Sequence, residues 1–348
     1  MDLEAITLVD QHAHGILRSQ PTLDEFRGLF SESPDPRQWP HVTSSLTYRR
    51  AIRTLAAFLG VEPTEEAVYR HRLERDPAEY ASTLLQATGT ETLLVDDGHP
   101  PPGEGTSWDE LGELAECDAR PVLRIERVAE AGGGDYLDAV RAEVATARAR
   151  GFAGLKTIAA YRGGLDLAAL ESGDAAWRGR IEGAAMARAV LAALEANEAT
   201  GDPLPVQVHT GFGDSDLQLP RADPGHLKPL VERFRETQFV LLHCYPFVRE
   251  AGWLAHVYGN VFLDLSLTIP HVSRPAEALR EALELAPVSK LLYASDAART
   301  PELYYLAAAW WRAALAEVLA EALPADEAEA AARLVLRDNA RRLYRLGS

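Results

Sequence analysis

The sequence lacks several features that would place the protein in well-known classes. Two cysteines in 348 residues are too few for a disulfide framework. No GxGxxG or GxxxxGK[ST] motif occurs, so the glycine-rich phosphate turn of nucleotide-binding proteins is missing. Arg312, Glu317 and Glu321 interrupt the longest apolar helical stretch, residues 306–323, which argues against a membrane span. The acidic first residues predict that no signal peptide is present.

Positive charge is also scarce. The chain has 35 Lys and Arg against 52 Asp and Glu, so its formal net charge is −17. A field of this sign repels phosphate backbones and anionic lipids, which makes nucleic acids and membranes poor partners. The hydrophobic fraction of 47% and the charged fraction of 25% are those of an ordinary globular protein. We therefore predict a cytoplasmic protein that acts on a small molecule, with homo-oligomer formation left open.

Eight short apolar runs, separated for the most part by helical pattern, predict a parallel sheet. Eight strands that alternate with helices are the number that closes a TIM (β/α)₈ barrel, which is the predicted fold. An open doubly wound sheet is the alternative, and the missing phosphate turn argues against it. The predicted strands are 6–14, 91–97, 121–127, 152–159, 205–210, 238–245, 261–267 and 290–296. The main predicted helices are 136–150, 180–198, 225–235, 274–285, 302–322 and 326–345.

A long segment separates the first two predicted strands. A barrel typically needs about 250 residues, so roughly a hundred are surplus, and most of them lie at residues 16–88. This segment contains four prolines between residues 21 and 40, followed by helical pattern at 46–59 and 64–85. We predict that residues 1–348 form a single barrel domain, in which 16–88 is a helical insertion on the catalytic face.

Candidate metal ligands occur at the carboxyl ends of the predicted strands, where barrel active sites are built. Each alone is weak evidence, because histidines at strand ends also occur in ordinary cores. Their joint occurrence at four strand ends predicts a metal site, and imidazole with carboxylate suits zinc, iron or manganese. The set consists of His12, His14, His209, His243 and Asp296, with Lys156 on the fourth strand.

Alternation along each strand predicts that these side chains point into the barrel mouth. His12 and His14 are two residues apart, which places them on the same side as Asp10, Leu8 and Ile6. The other pairs predicted to share a side are His209 with Gln207, His243 with Leu241, and Asp296 with Leu292.

Several motifs resemble those of the amidohydrolase superfamily of metal-dependent barrels. They are DQHAH at 10–14, VHTG at 208–211, LH at 242–243 and ASD at 294–296. The stretches KTIAAYRGG at 156–164 and HTGFGD at 209–214 are similar to one subgroup. It is the amidohydrolase-2-type domain that is fused to a glutamine-synthetase-like domain in nodulin-like plant proteins and fungal developmental proteins. The likeness extends over nearly the whole chain, and we expect the synthetase-like half to be absent.

The resemblance implies a metal-dependent hydrolase that binds one or two divalent ions, zinc first, through the residues of the set above. Asp296 is then also the base that takes the proton of the attacking water. His243 either binds a second ion or hydrogen-bonds the substrate. Lys156 has three open roles: a carbamylated bridge between two ions, a cation that pairs with substrate or another charge, or a structural lysine paired with a carboxylate such as Glu126.

Four residues near the strand ends are candidates for substrate binding: Arg124, Tyr161, Arg162 and Tyr245. The guanidinium of Arg162 can form a fork with a carboxylate, and His41 of the insertion is a further candidate for reaching the site. The expected reaction is hydrolysis of an amide C–N or a C–O bond in a small polar substrate. By analogy with the fused domains, γ-glutamyl amides come first. The alternatives are nonoxidative decarboxylation of a small carboxylic acid and a non-catalytic barrel.

Overall fold

The computed structural model describes residues 1–96, 98–101, 103–173 and 180–347. Eight parallel strands follow one another in chain order around one sheet, which confirms the predicted TIM barrel. The strands are β1 (Leu8–Ala13), β2 (Thr90–Asp96), β3 (Asp118–Arg124), β4 (Gly154–Thr157), β5 (Val206–His209), β6 (Phe239–Leu242), β7 (Val261–Asp264) and β8 (Leu291–Leu292).

Backbone hydrogen bonds close the barrel between the segment after β8 and β1. The N–H of Asp296 donates to the carbonyl of His12 at 2.9 Å. The N–H of His14 donates to the carbonyl of Ala297, also at 2.9 Å. The closure itself therefore brings the late aspartate beside the two early histidines.

Helices surround the sheet and connect its strands. No helix of the described residues is long and apolar enough to cross a membrane. The helices are α1 (Leu23–Gly28), α2 (Trp39–Val42), α3 (Leu46–Leu59), α4 (Glu65–Leu73), α5 (Pro77–Gln86), α6 (Trp108–Ala115), α7 (Ile125–Gly132), α8 (Tyr136–Ala147), α9 (Leu167–Leu170), α10 (Gly183–Ala199), α11 (Lys228–Arg233), α12 (Val248–Val257), α13 (Thr268–His271), α14 (Pro275–Leu283), α15 (Pro301–Ala322), α16 (Ala325–Arg333) and α17 (Asn339–Tyr344).

Several predicted elements differ from the structure. The eighth strand covers only Leu291–Leu292 rather than 290–296, and the helix predicted at 326–345 is divided into α16 and α17. The third strand ends at Arg124 rather than at residue 127, so Glu126 lies in the first turn of α7. The single helix predicted at 64–85 is two helices, α4 and α5. Pro77 cannot continue α4, and the side chain of Asp76 caps α5 by accepting two backbone N–H groups. Asp97, the predicted end of the second strand, lies outside the described residues.

An apolar cluster fills the barrel interior. Side chains of β1, β2, β3, β6 and β8 contribute to it, and Ala340 and Tyr344 of α17 join them. The ring of Tyr344 lies against Gly154, the first residue of β4, so α17 covers the amino-terminal end of the barrel. Each fully buried apolar side chain of this size contributes about 1.5–3 kcal/mol. The carboxyl ends of the strands are thereby left as the open face.

A buried ion pair attaches the segment between β1 and β2 to the barrel. Arg72 of α4 contacts both carboxylate oxygens of Glu302 at 2.6 Å, and Glu302 is fully buried in α15. The same guanidinium donates to Thr300 Oγ1 at 2.9 Å, and the Tyr80 hydroxyl donates to Glu302 Oε1 at 3.0 Å. These contacts satisfy a carboxylate that would otherwise be buried without a partner.

We predict that Arg72→Met lowers the free energy of unfolding by about 3–5 kcal/mol, because it leaves the charge of Glu302 buried and uncompensated. Urea denaturation measures the change. Arg37→Met is the matched control, since Arg37 makes an exposed pair with Asp35 and its loss should leave stability unchanged. Equal effects of the two substitutions would contradict the prediction.

Candidate metal centre

A cavity of about 370 Å³ opens at the carboxyl ends of the strands. Glu32 and Pro34, from the segment between β1 and β2, also line it. His12 is fully buried against its floor. The predicted ligand residues on the cavity wall are His14, Lys156, His209, His243 and Asp296. The structure therefore brings all six predicted ligand residues to one place.

Three of these residues converge most closely. The ligand atoms of His12, His14 and Asp296 all lie within 4.8 Å of one another. Asp296 Oδ1 is 3.0 Å from His12 Nε2 and 3.3 Å from His14 Nε2. Asp296 Oδ2 lies 3.6 Å from Nδ1 of His243. The aspartate thus faces three imidazoles at once.

A β-bulge brings both early histidines to the interior. Between Asp10 and Ala13, β1 advances three residues while β2 advances two. An extra residue of this kind shifts the alternation of side chains. Val9 lies in the interior cluster, and after the bulge His12 and His14 also face the interior.

The prediction that His12 and His14 share a side of β1 with Asp10, Leu8 and Ile6 is therefore wrong. The two histidines nevertheless both face the interior. Ile6 and Leu8 pack in the outer layer, between the sheet and the helices. Asp10 accepts the N–H of Ser295 at 2.9 Å and so braces the residue that precedes Asp296. The position of a β-bulge cannot be predicted from the alternation of side chains along a strand.

His243 enters the site through a turn rather than through alternation. Strand β6 ends at Leu242, which faces the interior, whereas Leu241 packs in the outer layer. The prediction that His243 shares a side with Leu241 is therefore wrong. His243 and Cys244 have φ angles of 67° and 66°, a left-handed conformation that is strained for residues with a Cβ. This turn aims the imidazole at Asp296.

The same turn carries Tyr245 away from the cavity. Its side chain is 43% exposed and its ring packs against Phe212. It is not among the residues that line the cavity, so the structure does not place it where the predicted role in substrate binding requires. The alternation that suggested this role had already stopped at Leu242.

Hydrogen bonds fix which nitrogen of each early imidazole carries the proton. Nδ1 of His14 lies 2.9 Å from the carbonyl of Asp96, which can only accept, so this nitrogen donates. Nδ1 of His12 lies 2.9 Å from Gln207 Oε1 and donates to it. The unprotonated Nε2 atoms of both rings therefore face Asp296. Partners of this kind set the tautomer of metal-binding histidines.

A buried polar layer extends below these imidazoles. Gln207 Nε2 donates to the Tyr344 hydroxyl at 3.1 Å, and that hydroxyl donates to Gln11 Oε1 at 2.6 Å. Gln11 Nε2 in turn donates to Asp264 Oδ2. Because each side-chain group in this series has a definite donor or acceptor role, Gln207 Oε1 remains the acceptor for the His12 proton.

The other oxygen of Asp264 supports His243. Asp264 Oδ1 accepts the backbone N–H of His243 at 2.8 Å and the hydroxyl of Ser266 at 2.7 Å. Nδ1 of His243 lies 2.8 Å from Ser266 Oγ and 3.4 Å from the backbone N–H of Leu267, so both residues fix the orientation of the ring. Sequence reasoning missed Gln11, Gln207 and Ser266 as supports. The sequence signal that could have identified Gln11 and Gln207 was the presence of a glutamine in each of two buried apolar strands.

Burial sets the protonation states of the cluster. It lowers the pKa of His12 to about 4, with the charge of Lys156 acting in the same direction. It also lowers the pKa values of His209 and His243 well below their usual range. Burial acts to raise the pKa of Asp296, but the neighbouring imidazoles outweigh it and hold that pKa well below its usual value. Neutral imidazoles and an ionised carboxylate are the forms that bind metal.

Lys156 contacts the cluster directly. Its Nζ lies 2.9 Å from His12 Nε2, and burial lowers its pKa to about 8 against the opposing charges of Asp96 and Asp296. Glu126 does not serve as its partner, contrary to one of the predicted roles. Glu126 Oε1 instead accepts the N–H of Ile158 at 3.0 Å, because Glu126 lies in α7.

The other predicted cavity residues lie as follows. Tyr161 stacks on His209 with ring centroids 4.5 Å apart. Arg162 lines the cavity. Arg124 does too, but its Nη2 makes a 2.6 Å ion pair with buried Asp96. His41 is exposed and lies outside the residues that line this cavity, but it lines a neighbouring pocket together with Glu32 and Asp214, which also line the cavity.

The cavity residues that were not predicted include three with ionisable side chains, Glu32, His99 and Arg299. Each lies in an irregular connection, where strand periodicity gives no signal. The ring of His99 lies 5.7 Å from that of His14.

The residues present fit a divalent cation. His12 Nε2, His14 Nε2 and Asp296 Oδ1 are three acceptors close together, and the Lys156 amine contacts only the first of them, at 2.9 Å. Nε2 of His209 is buried and has no hydrogen-bond partner among the described residues. Imidazole nitrogens and a carboxylate oxygen are the donors that zinc and iron prefer.

A family model of the amidohydrolases, Amidohydro_2, matches residues 111–346. The chain belongs to the amidohydrolase family. With the fold, this match identifies an enzyme of the metal-dependent hydrolase type, and the family implies a divalent metal cofactor and a small-molecule substrate.

Individual relatives agree with this assignment. The chain is similar to protein fluG of Emericella nidulans, with 29% identity over 97% of the chain and 46% of the relative, so it spans about half the length of that protein. A Lactobacillus casei structure described as a metal-dependent hydrolase has a TM-score of 0.85 at 26% identity, over 99% of this chain and 96% of that one. Uronate isomerase of Thermotoga maritima shares the fold, with a TM-score of 0.62 at 14% identity over 98% and 95% of the two chains.

We predict that Gln207→Leu weakens metal affinity by about 10- to 100-fold, because it removes the acceptor that orients His12. Competition with a chelating dye measures the dissociation constant. Gln218→Leu, the same substitution at an exposed position, is the control and should leave affinity unchanged. Unchanged affinity in Gln207→Leu would show that the tautomer of His12 does not depend on this contact.

Proposed function

We propose that the protein hydrolyses an amide C–N bond of a small polar substrate, with zinc as the preferred cation. The observation that supports this proposal best is the convergence of His12 Nε2, His14 Nε2 and Asp296 Oδ1 at one point of the cavity. Family membership makes hydrolysis the leading reaction class, and the choice of an amide rests on the resemblance described above.

The proposed cation is held by His12, His14 and Asp296, with His209 and His243 completing the set. When bound, it polarises the scissile carbonyl and lowers the pKa of water toward 7. Burial keeps the three nearest groups desolvated, so their electrostatic interaction with developing charge is stronger than in bulk water.

Asp296 is the proposed general base. Its Oδ2 is turned away from the two early histidines toward His243, and it can accept a proton from the attacking water. The same oxygen then returns that proton to the leaving nitrogen. The nearby imidazoles keep this carboxylate ionised, which a base requires. Ser266 and Asp264 hold His243 in place while the proton moves.

Lys156 has two remaining proposed roles. An unmodified amine lies 2.9 Å from His12 Nε2 and donates to its lone pair. That nitrogen has one lone pair, so the amine would give up this contact when a cation binds and would then be available to a substrate oxygen. A carbamylated lysine would instead supply two oxygens close to His209 and His243, whose ring centroids lie 4.4 Å apart, and a second ion would follow. We favour the unmodified amine, because it accounts for the contact with His12.

A second candidate function is nonoxidative decarboxylation of a small acid. One observation favours it: Arg162 lines the same cavity, and a cation there can hold a carboxylate. The two reactions differ in their products, since a lyase releases carbon dioxide and consumes no water. Assays for ammonia or amine release and for carbon dioxide release on the same substrates separate them.

We predict that Asp296→Asn reduces turnover of amide substrates by at least about 100-fold, the lower range for loss of general acid–base catalysis. Activity of the zinc-loaded protein is measured on a panel that begins with γ-glutamyl amides. Asp326→Asn, at an exposed position in α16, is the control and should retain full activity. Undiminished turnover by Asp296→Asn would contradict the proposed role.

A further inference from the structure

Two guanidinium groups in the cavity have donors that the protein does not use. Arg162 follows β4 and Arg299 follows β8, and both line the cavity. The Nε atom of each is buried and has no hydrogen-bond partner within the described residues. Five side-chain atoms are in this state in the described part of the chain, and three of them, including His209 Nε2, belong to cavity residues. A buried polar atom without a hydrogen-bond partner raises the free energy of the folded protein. Three such atoms in one cavity therefore indicate a ligand that supplies the missing partners.

The backbone holds Arg299 in a strained position. Its φ is 67°, a left-handed conformation that a side chain rarely adopts. Its N–H donates to the carbonyl of Gly15 and its carbonyl accepts the N–H of Leu17, both at 2.9 Å. Its Nη2 donates to the carbonyl of Ser31 at 3.2 Å. This positioning fixes the guanidinium against the cavity, and strain of this kind is concentrated at functional sites.

Arg162 also carries a positive charge that no hydrogen-bonded carboxylate neutralises among the described residues. The acidic oxygen nearest to its Nη2 among the described ion pairs, Glu130 Oε1, lies 4.0 Å away, which is too long for a hydrogen bond. That same oxygen accepts the N–H of Ile181 at 3.3 Å. The side chain of Arg162 is 16% exposed. Its positive charge is therefore available to an anion that enters the cavity.

We infer that Arg162 and Arg299 form a subsite for a substrate carboxylate. This inference rests on the proposed function for the reacting bond and adds the substrate class: an amide that carries a free carboxylate away from the scissile bond. The Nε and Nη groups of arginine form a planar fork that matches a carboxylate. Glu32 and Asp214 line the same cavity, and their negative charge favours a monoanion over a phosphate dianion.

Binding of glutarate to the zinc-loaded protein tests the subsite without any turnover. Isothermal titration calorimetry should show that glutarate binds at least 10-fold more tightly than glutaramide, its neutral counterpart. Arg162→Met and Arg299→Met should each weaken glutarate binding by about 10- to 100-fold, the range for a lost charge-assisted hydrogen bond. Arg235→Met, at an exposed position of the surface, is the control and should bind glutarate normally.

Acetohydroxamic acid, a small metal chelator without a carboxylate, shows whether a variant is folded and loaded. Both cavity variants should bind it as the parent protein does. Unchanged glutarate affinity in both variants, or inorganic phosphate binding more tightly than glutarate, would overturn the carboxylate subsite. The two proposals fail separately: glutarate binding without amide hydrolysis would leave the subsite intact and contradict the proposed reaction.

Discussion

The site depends on the direction in which two imidazoles face. His12 and His14 each donate their Nδ1 proton to an acceptor outside the cluster, one to Gln207 and the other to the carbonyl of Asp96. Their Nε2 lone pairs therefore meet Asp296 across about 3 Å. Three acceptors at this distance repel one another, and the Lys156 amine contacts only His12 Nε2. The direction of the two imidazoles therefore favours a cation among the three atoms, in agreement with the metal cofactor that the family implies.

The last helix of the barrel contributes to this arrangement from the opposite end. Tyr344 closes the amino-terminal end of the barrel and its hydroxyl orients Gln11 and Gln207. Through those two amides the layer reaches His12 on one side and Asp264 on the other. Packing at the closed end and ligand geometry at the open end are therefore parts of one hydrogen-bonded unit, which fits the rule that supporting contacts tune a metal site.

Sequence reasoning predicted the fold, and it predicted that six candidate ligand residues would lie together, because both predictions depend on periodic signals. Eight apolar runs with polar residues at their carboxyl ends are typical of a barrel sequence. The reason given for the placement of two of these residues was wrong. A bulge in β1 and a left-handed turn at His243 break the alternation on which the argument relied. Local irregularity of this sort is concentrated at functional sites and leaves no periodic trace.

The cavity residues that sequence reasoning did not predict share a physical feature. Arg299, Glu32 and His99 lie in connections whose path depends on tertiary contacts, such as the hydrogen bond between Arg299 and Ser31. The error at Glu126 came from a strand boundary that was placed three residues too late. Residue type and spacing therefore predicted the chemistry of the site, whereas the shape of the cavity required coordinates.

Anomalous X-ray scattering at the zinc edge, from crystals of zinc-loaded protein, tests the central claim most directly. The account predicts a peak bounded by Nε2 of His12, Nε2 of His14 and the carboxylate of Asp296, with an unmodified amine at Lys156. A peak elsewhere in the barrel, or none after reconstitution with zinc, iron or manganese, would contradict it.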